Sequence, residues 1–164
     1  MKKIFATDSK NNLALIARLI LGIVVFAHGA QKLFGWFGGY GFNGTMGFLT
    51  VAVGLPYIIA VLVILIEFFG AVFLITGFAT RIAALGIIVN FVGVVISTHL
   101  SNGFFMNWSS QANKGEGLEY FFLLFALAII SLIAGGGRGS VDSFIAPDLN
   151  GNQKVTGKLS VEGI

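Results

Sequence analysis

Residues 55–78 read LPYIIAVLVILIEFFGAVFLITGF, and Glu67 is the only charged side chain among them. About 20 apolar residues rising 1.5 Å each cover the ~30 Å of a bilayer's hydrocarbon. The run is continuous, whereas a barrel strand would alternate inward and outward residues. The stretch is therefore predicted to be a transmembrane helix. Pro56 stands in its first turn, where a missing N–H leaves no bond unmade.

Three similar runs surround it. The first is predicted over 13–34, the third over 82–100 and the fourth over 118–134. The whole 164-residue chain is 56% hydrophobic and 10% charged, with mean hydropathy +0.92. No soluble domain of this length hides so much apolar surface. The fold class is accordingly all-α: an antiparallel four-transmembrane-helix bundle over 1–146, followed by a polar C-terminal tail over 147–164. The lysines near the N-terminus precede a run too long for a signal-peptide core, so the first span reads as uncleaved.

The connections have their own character. Residues 35–54 are rich in glycine and aromatics and carry no charge; 45–53 are predicted as a short interfacial helix. Gly77-Phe78-Ala79-Thr80-Arg81 reads as a tight turn, and 101–117 as a polar loop. Lysine and arginine set the orientation. With the N-terminus cytoplasmic, that side holds Lys2, Lys3, Lys10, Arg18, Arg81, Arg138, Lys154 and Lys158, against Lys32 and Lys114 opposite. Both termini are thus expected in the cytoplasm of a bacterium, with the protein multi-pass in its inner membrane. The basic residues form no stripe interleaved with aromatics, so nucleic acid is not an expected partner.

Gly22 with Gly29, Gly70 with Gly77, and Gly86 with Gly93 are each seven residues apart, which puts each pair on one helical face. Small residues there let membrane helices approach closely. The same faces would serve self-association into a homo-oligomer.

A polar group inside a span is expensive and is a functional candidate by default. His28, Gln31 and Lys32 share one face of the first helix. Glu67 lies near the midplane, Asn90 midway along the third span, His99 at its outer end and Glu119 at the outer end of the fourth. Plainer roles exist for most of them. Lys32 and Glu119 can snorkel or pair, Asn90 can glue helices, and His99 can be interfacial. Arg18 reads as a headgroup anchor or as one half of a structural ion pair. Glu67 has no such escape: a carboxylate at that depth must be paired, protonated or wetted. The sequence points to His28 as its partner, with the two as candidate catalytic groups. Gln31, Lys32, Asn90, His99, Glu119 and Trp36 are the candidate ligand contacts, walled by Phe26, Phe69 and neighbouring aromatics.

Several chemistries fall away. The absence of cysteine removes disulfides, thiolate metal sites and Fe–S ligation from this chain. No dinucleotide fingerprint, P-loop or H-E-x-x-H occurs, and Gly35–Gly41 lacks the lysine and strand of a phosphate cradle. Asn43-Gly44-Thr45 is a chance glycosylation match. No metal site is expected. His28 and His99 differ in depth, so a haem bridging them is not expected either.

Arg18, His28-Gly29-x-x-Lys32-Leu33, Gly54-Leu55-Pro56, Glu67-x-x-Gly70, Gly77-x-x-Thr80-Arg81-x-Ala83-Ala84, His99, Glu119 and Gly135–Gly139 leading to Ser140-x-Asp142 together resemble the DoxX family of small bacterial membrane proteins. The resemblance covers about residues 13–146. It implies a four-helix inner-membrane protein and a link to quinone-dependent oxidation or to detoxification of quinones and aromatics.

The functional expectation is a quinone- or small-aromatic-binding membrane subunit of an oxidoreductase system, with the pocket in the outer half of the bundle. Quinone is the expected non-covalent ligand, with no covalent cofactor. Electrons would come from a soluble or membrane redox partner, which leaves open whether the chain is an enzyme alone. The alternative is non-enzymatic: a proton-coupled transporter, a channel or an assembly factor.

Overall fold

A computed structural model describes residues 2–146, so the tail over 147–164 lies outside the described residues. Every regular element among them is helical: α1 (Lys2–Phe5), α2 (Asn12–Phe34), α3 (Gly41–Gly47), α4 (Tyr57–Thr76), α5 (Thr80–Val94), α6 (Glu119–Ala134) and α7 (Val141–Ile145). α3 runs on as a π-helical turn, Phe48–Ala52, so the short helix expected over 45–53 begins earlier than predicted. α5 continues through a π-helical turn, Val95–His99, and a 3₁₀ turn, Leu100–Asn102. Three rods are long and apolar enough to cross a membrane: Asn12–Phe34, Tyr57–Thr76 and Thr80–Asn102. α6 is apolar but shorter, about 24 Å at 1.5 Å per residue.

The helix boundaries follow local chemistry. Asn11 Oδ1 accepts from Ala14 N at 3.0 Å and starts α2. Gly35 ends it in the left-handed conformation, φ 76°. Pro56 is the cap residue of α4, one position ahead of its first turn.

α2 packs on α4 and α6, and α5 packs on the same two, so the four long helices close a ring. Neighbours run antiparallel: Gly22 lies against Ala71 and Ile75, and Gly29 against Phe68, while Gly70 meets Ile87 and Gly86 meets Ile66. Leu21, Val25, Ala71, Leu74, Ile87, Phe91, Phe121 and Leu124 fill the interior. Leu13, Ile58, Val89, Leu123 and Ile133 face outward. Apolar residues inside and out, on rods of this length, place the molecule in a lipid bilayer.

Only the first glycine pair acts as a helix–helix face at both members. A Cβ on Gly22 would fall 2.8 Å from Ile75 Cγ1, and one on Gly29 2.7 Å from Phe68 Cα. Gly77 instead ends α4 with φ 68°, and Gly93 has no atom within 4 Å of where its Cβ would stand.

The end of the ring nearest the described termini is closed by charge. Arg18 is 1% exposed. Its guanidinium donates to Gly136 O (2.7 Å), Leu74 O (2.9 Å), Ile75 O (2.6 Å), and Arg138 O and Gly139 O (both 3.2 Å). The ion pair expected of Arg18 is not formed at contact distance: among the described residues no carboxylate oxygen lies within 4 Å of the guanidinium, and Asp142 acts on it from further away. The orphan carbonyls at the end of α4 and in the 136–139 turn are what the planar fork satisfies. Arg81 does the same for α6, donating to Leu132 O, Ile133 O and, at 3.2 Å, Ala6 O. Asp142, buried, caps the start of α5 by accepting from Ala79 N (2.7 Å) and Thr80 N (2.9 Å). A carboxylate at a helix N-terminus also meets the positive end of its dipole.

Candidate functional site

The stripe of α2 that faces α4 is Arg18, Gly22, Val25, Gly29 and Lys32, spaced by three or four residues. Gly29 brings the two backbones into contact, and one turn further Lys32 meets Glu67. Lys32 Nζ donates to Glu67 Oε2, while Asn90 Nδ2 donates from α5 to Glu67 Oε1 at 3.2 Å. Three helices thus converge on one carboxylate, whose side chain is 0% exposed against 29% for Lys32. Both carboxylate oxygens are engaged. The ammonium has three N–H donors and uses one here, and Lys32 lines the space beside it.

That space is a cavity of about 630 Å³ between α4, α5 and the 41–55 segment. Lys32, Glu67 and Asn90 stand at its deep end. Leu49, Leu55, Leu62, Val63, Ile66 and Val94 form apolar walls, and Ser97, Thr98, His99, Asn102 and Glu116 gather at the far end. The π-helical turn shapes this far end. Ser97 Oγ donates to Gly93 O and Thr98 Oγ1 to Val94 O, each at 2.8 Å, and Thr98 Oγ1 lies 2.6 Å from His99 Nδ1. Such turns recur where a helix is adapted to a site.

The structure brings Glu67, Lys32, Asn90 and His99 to one cavity and leaves the other expected contacts elsewhere. His28 is exposed on the neighbouring face of α2, its ring 6.1 Å from that of Tyr120, and among the described residues no hydrogen bond joins it to Glu67. The partner of the acid is Lys32. Gln31 Nε2 donates to Phe37 O at 3.2 Å and holds the turn after α2. Glu119 Oε2 accepts from Met106 N and Trp108 Nε1, both at 3.2 Å, and so fastens the 103–117 loop. Trp36 is exposed beside Phe34, ring centres 5.2 Å apart. Phe26 packs on Phe68, and neither Phe26 nor Phe69 lines the cavity.

Sequence reasoning missed the 41–55 segment as a wall. Met46, Leu49 and Val53, spaced by three and four, pack with Leu55 against Ala60 and Ile64, a signal readable as an amphipathic turn. Among the described residues no group of three His, Asp or Glu could hold a metal ion.

The family model for DoxX matches residues 13–100. The chain belongs to the DoxX family. Lys32, Glu67, Asn90 and His99 all fall inside the matched segment, whereas α6 and Asp142 lie beyond it. A Bacillus subtilis (strain 168) protein named "Putative oxidoreductase CatD" is 29% identical over 131 residues, covering 80% of this chain and 85% of the relative. No solved structure matches the chain.

Proposed function

We propose that this DoxX protein is a quinone- or small-aromatic-binding membrane subunit of an oxidoreductase system, lying as a four-span bundle in the bacterial inner membrane with both termini cytoplasmic. One observation carries the reading: a cavity with apolar walls presents, at its deep end, a carboxylate held between an ammonium and a carboxamide. Apolar walls with a few convergent polar groups are the usual make-up of a small-molecule site. The two remaining N–H groups of Lys32 suit a carbonyl or phenolate oxygen. Asn90 and Lys32 hold Glu67 in place, and a proton can pass between carboxylate and ligand oxygen by way of the ammonium. Oxidation or reduction of such rings moves protons with electrons, which gives a positioned acid–base pair its use. Electrons come from a redox partner, soluble or membrane-bound. The name of the B. subtilis relative agrees with this class of reaction, and the excess of basic residues on the terminal side supports the orientation.

Mass spectrometry of the protein purified in mild detergent tests the reading. A quinone or aromatic is expected to stay bound to the native chain and to be missing from Lys32→Met. Proton-linked uptake into vesicles, independent of redox state and abolished by Glu67→Gln, would replace this reading with a transporter.

A further inference from the structure

The two helices that flank the cavity touch at one end and part at the other. A Cβ on Gly70 would lie 3.2 Å from Ile87 Cδ1, and one on Gly86 3.5 Å from Ile66 Cγ2. Beyond this contact, toward Ile59 and Leu62 on α4 and Gly93 and Ser97 on α5, the cavity separates them. The residues at this gap belong to two surfaces at once. Val89, which precedes Asn90, lines the cavity and is 63% exposed, and Ile59 and Leu62 on the facing helix are each 45% exposed. Gly93, one turn along from Asn90, has nothing within 4 Å of a would-be Cβ. These exposed residues are apolar and lie within membrane-spanning rods. At the far end of the cavity Asn102 Nδ2 donates to Glu116 O at 3.0 Å and Leu118 N to Phe104 O at 2.9 Å, which ties the 103–117 loop to the end of the α5 rod and closes its base.

We infer that the occupant reaches Lys32, Glu67 and Asn90 sideways from the bilayer, through the gap between α4 and α5 at Val89 and Gly93. It is therefore a lipid-dissolved molecule whose oxygen-bearing head enters the cavity while a flexible apolar tail trails into the membrane. The head chemistry rests on the function proposed above; the gap does not. A tailed molecule already resides where the gap leads. Once its head is docked, the tail stays among acyl chains and loses little freedom.

The chain lacks cysteine, so single-cysteine variants carry one label each. Spin labels at Val89→Cys and Gly93→Cys, in phosphatidylcholine vesicles, are expected to be relaxed more by molecular oxygen than by a water-soluble nickel chelate. The reverse order at both sites would show an aqueous opening and overturn the lateral gap.

The tail is tested with a benzoquinone bearing a ten-carbon chain and with the same ring lacking it. Gly93→Trp, placed where space is open, is expected to weaken the tailed probe about tenfold or more while leaving the tail-less ring within about twofold. Equal loss of both probes, or loss of neither, would overturn the tail assignment. If the native chain binds neither quinone, the proposed head chemistry fails, and the lateral gap is judged on the spin labels alone.

Discussion

Arg18 and Lys32 lie on the same face of α2, about 21 Å apart along its axis, and they are satisfied in opposite ways. Arg18 meets five backbone carbonyls and has no donor left for anything else. Lys32 meets one carboxylate oxygen and borders open space. A buried cation whose every N–H is matched by backbone holds helices together and nothing more. One that keeps unmatched donors beside a cavity can greet a ligand. The contrast separates scaffolding from chemistry more sharply than burial alone, since both side chains sit inside apolar rods.

The largest effect should come from the scaffold. Arg18→Met is expected to remove about 4 kcal/mol of stability, because five carbonyls at once lose a charged donor. Denaturant unfolding in detergent reads this directly. Arg18→Lys should recover less than half, since an ammonium cannot reproduce the planar fork. A stable Arg18→Met would erase the distinction between the two cations.

Next comes Lys32→Met, which strands a buried carboxylate and should cost about 3 kcal/mol. Adding Glu67→Leu should restore most of that stability while ligand retention, followed by mass spectrometry, stays lost. Recovery of both together would make the pair as structural as Arg18. Asp142→Asn weakens the charged cap of α5 by about 1 kcal/mol. It should appear as faster hydrogen exchange at Ala79 and Thr80, with ligand binding intact. His28→Ala should shift stability by no more than about 0.5 kcal/mol. Loss of the ligand in that variant would return the imidazole to the site.

The apolar runs were legible because lipid imposes a simple rule of length and continuity; three of the four form rods of spanning length, and α6 stops short of it. The candidate acid was legible because a lone carboxylate among isoleucines and phenylalanines has no plain explanation. Its partner was not. His28 and Lys32 are four residues apart, so spacing gave them one face, yet a difference of some tens of degrees decides which one reaches α4. Gly22 and Gly29 held the missing information. They mark the seam with α4, and around the helix Lys32 stands about 60° from Gly29 whereas His28 stands about 100° from it. Arg18 was misread for another reason: its partners are carbonyls from helix ends and from the 136–139 turn, and backbone acceptors leave no trace in side-chain patterns. The π-helical turn at 95–99 was equally silent, because Ser97 and Thr98 suit an ordinary helix end as well.

Gly29 carries one more consequence. A Cβ there would lie 2.7 Å from Phe68 Cα and 2.9 Å from the carbonyl carbon of Glu67, the very peptide that bears the acid. The bare hydrogen on that glycine therefore acts as a shim of minimum thickness, setting how far the ammonium stands from its counter-ion. Thickening it by one methyl would wedge the two rods and lengthen the ion pair without altering either charge. The residue with the least chemistry of its own thus governs how tightly the charged pair is held, and with it how readily the pair can let go.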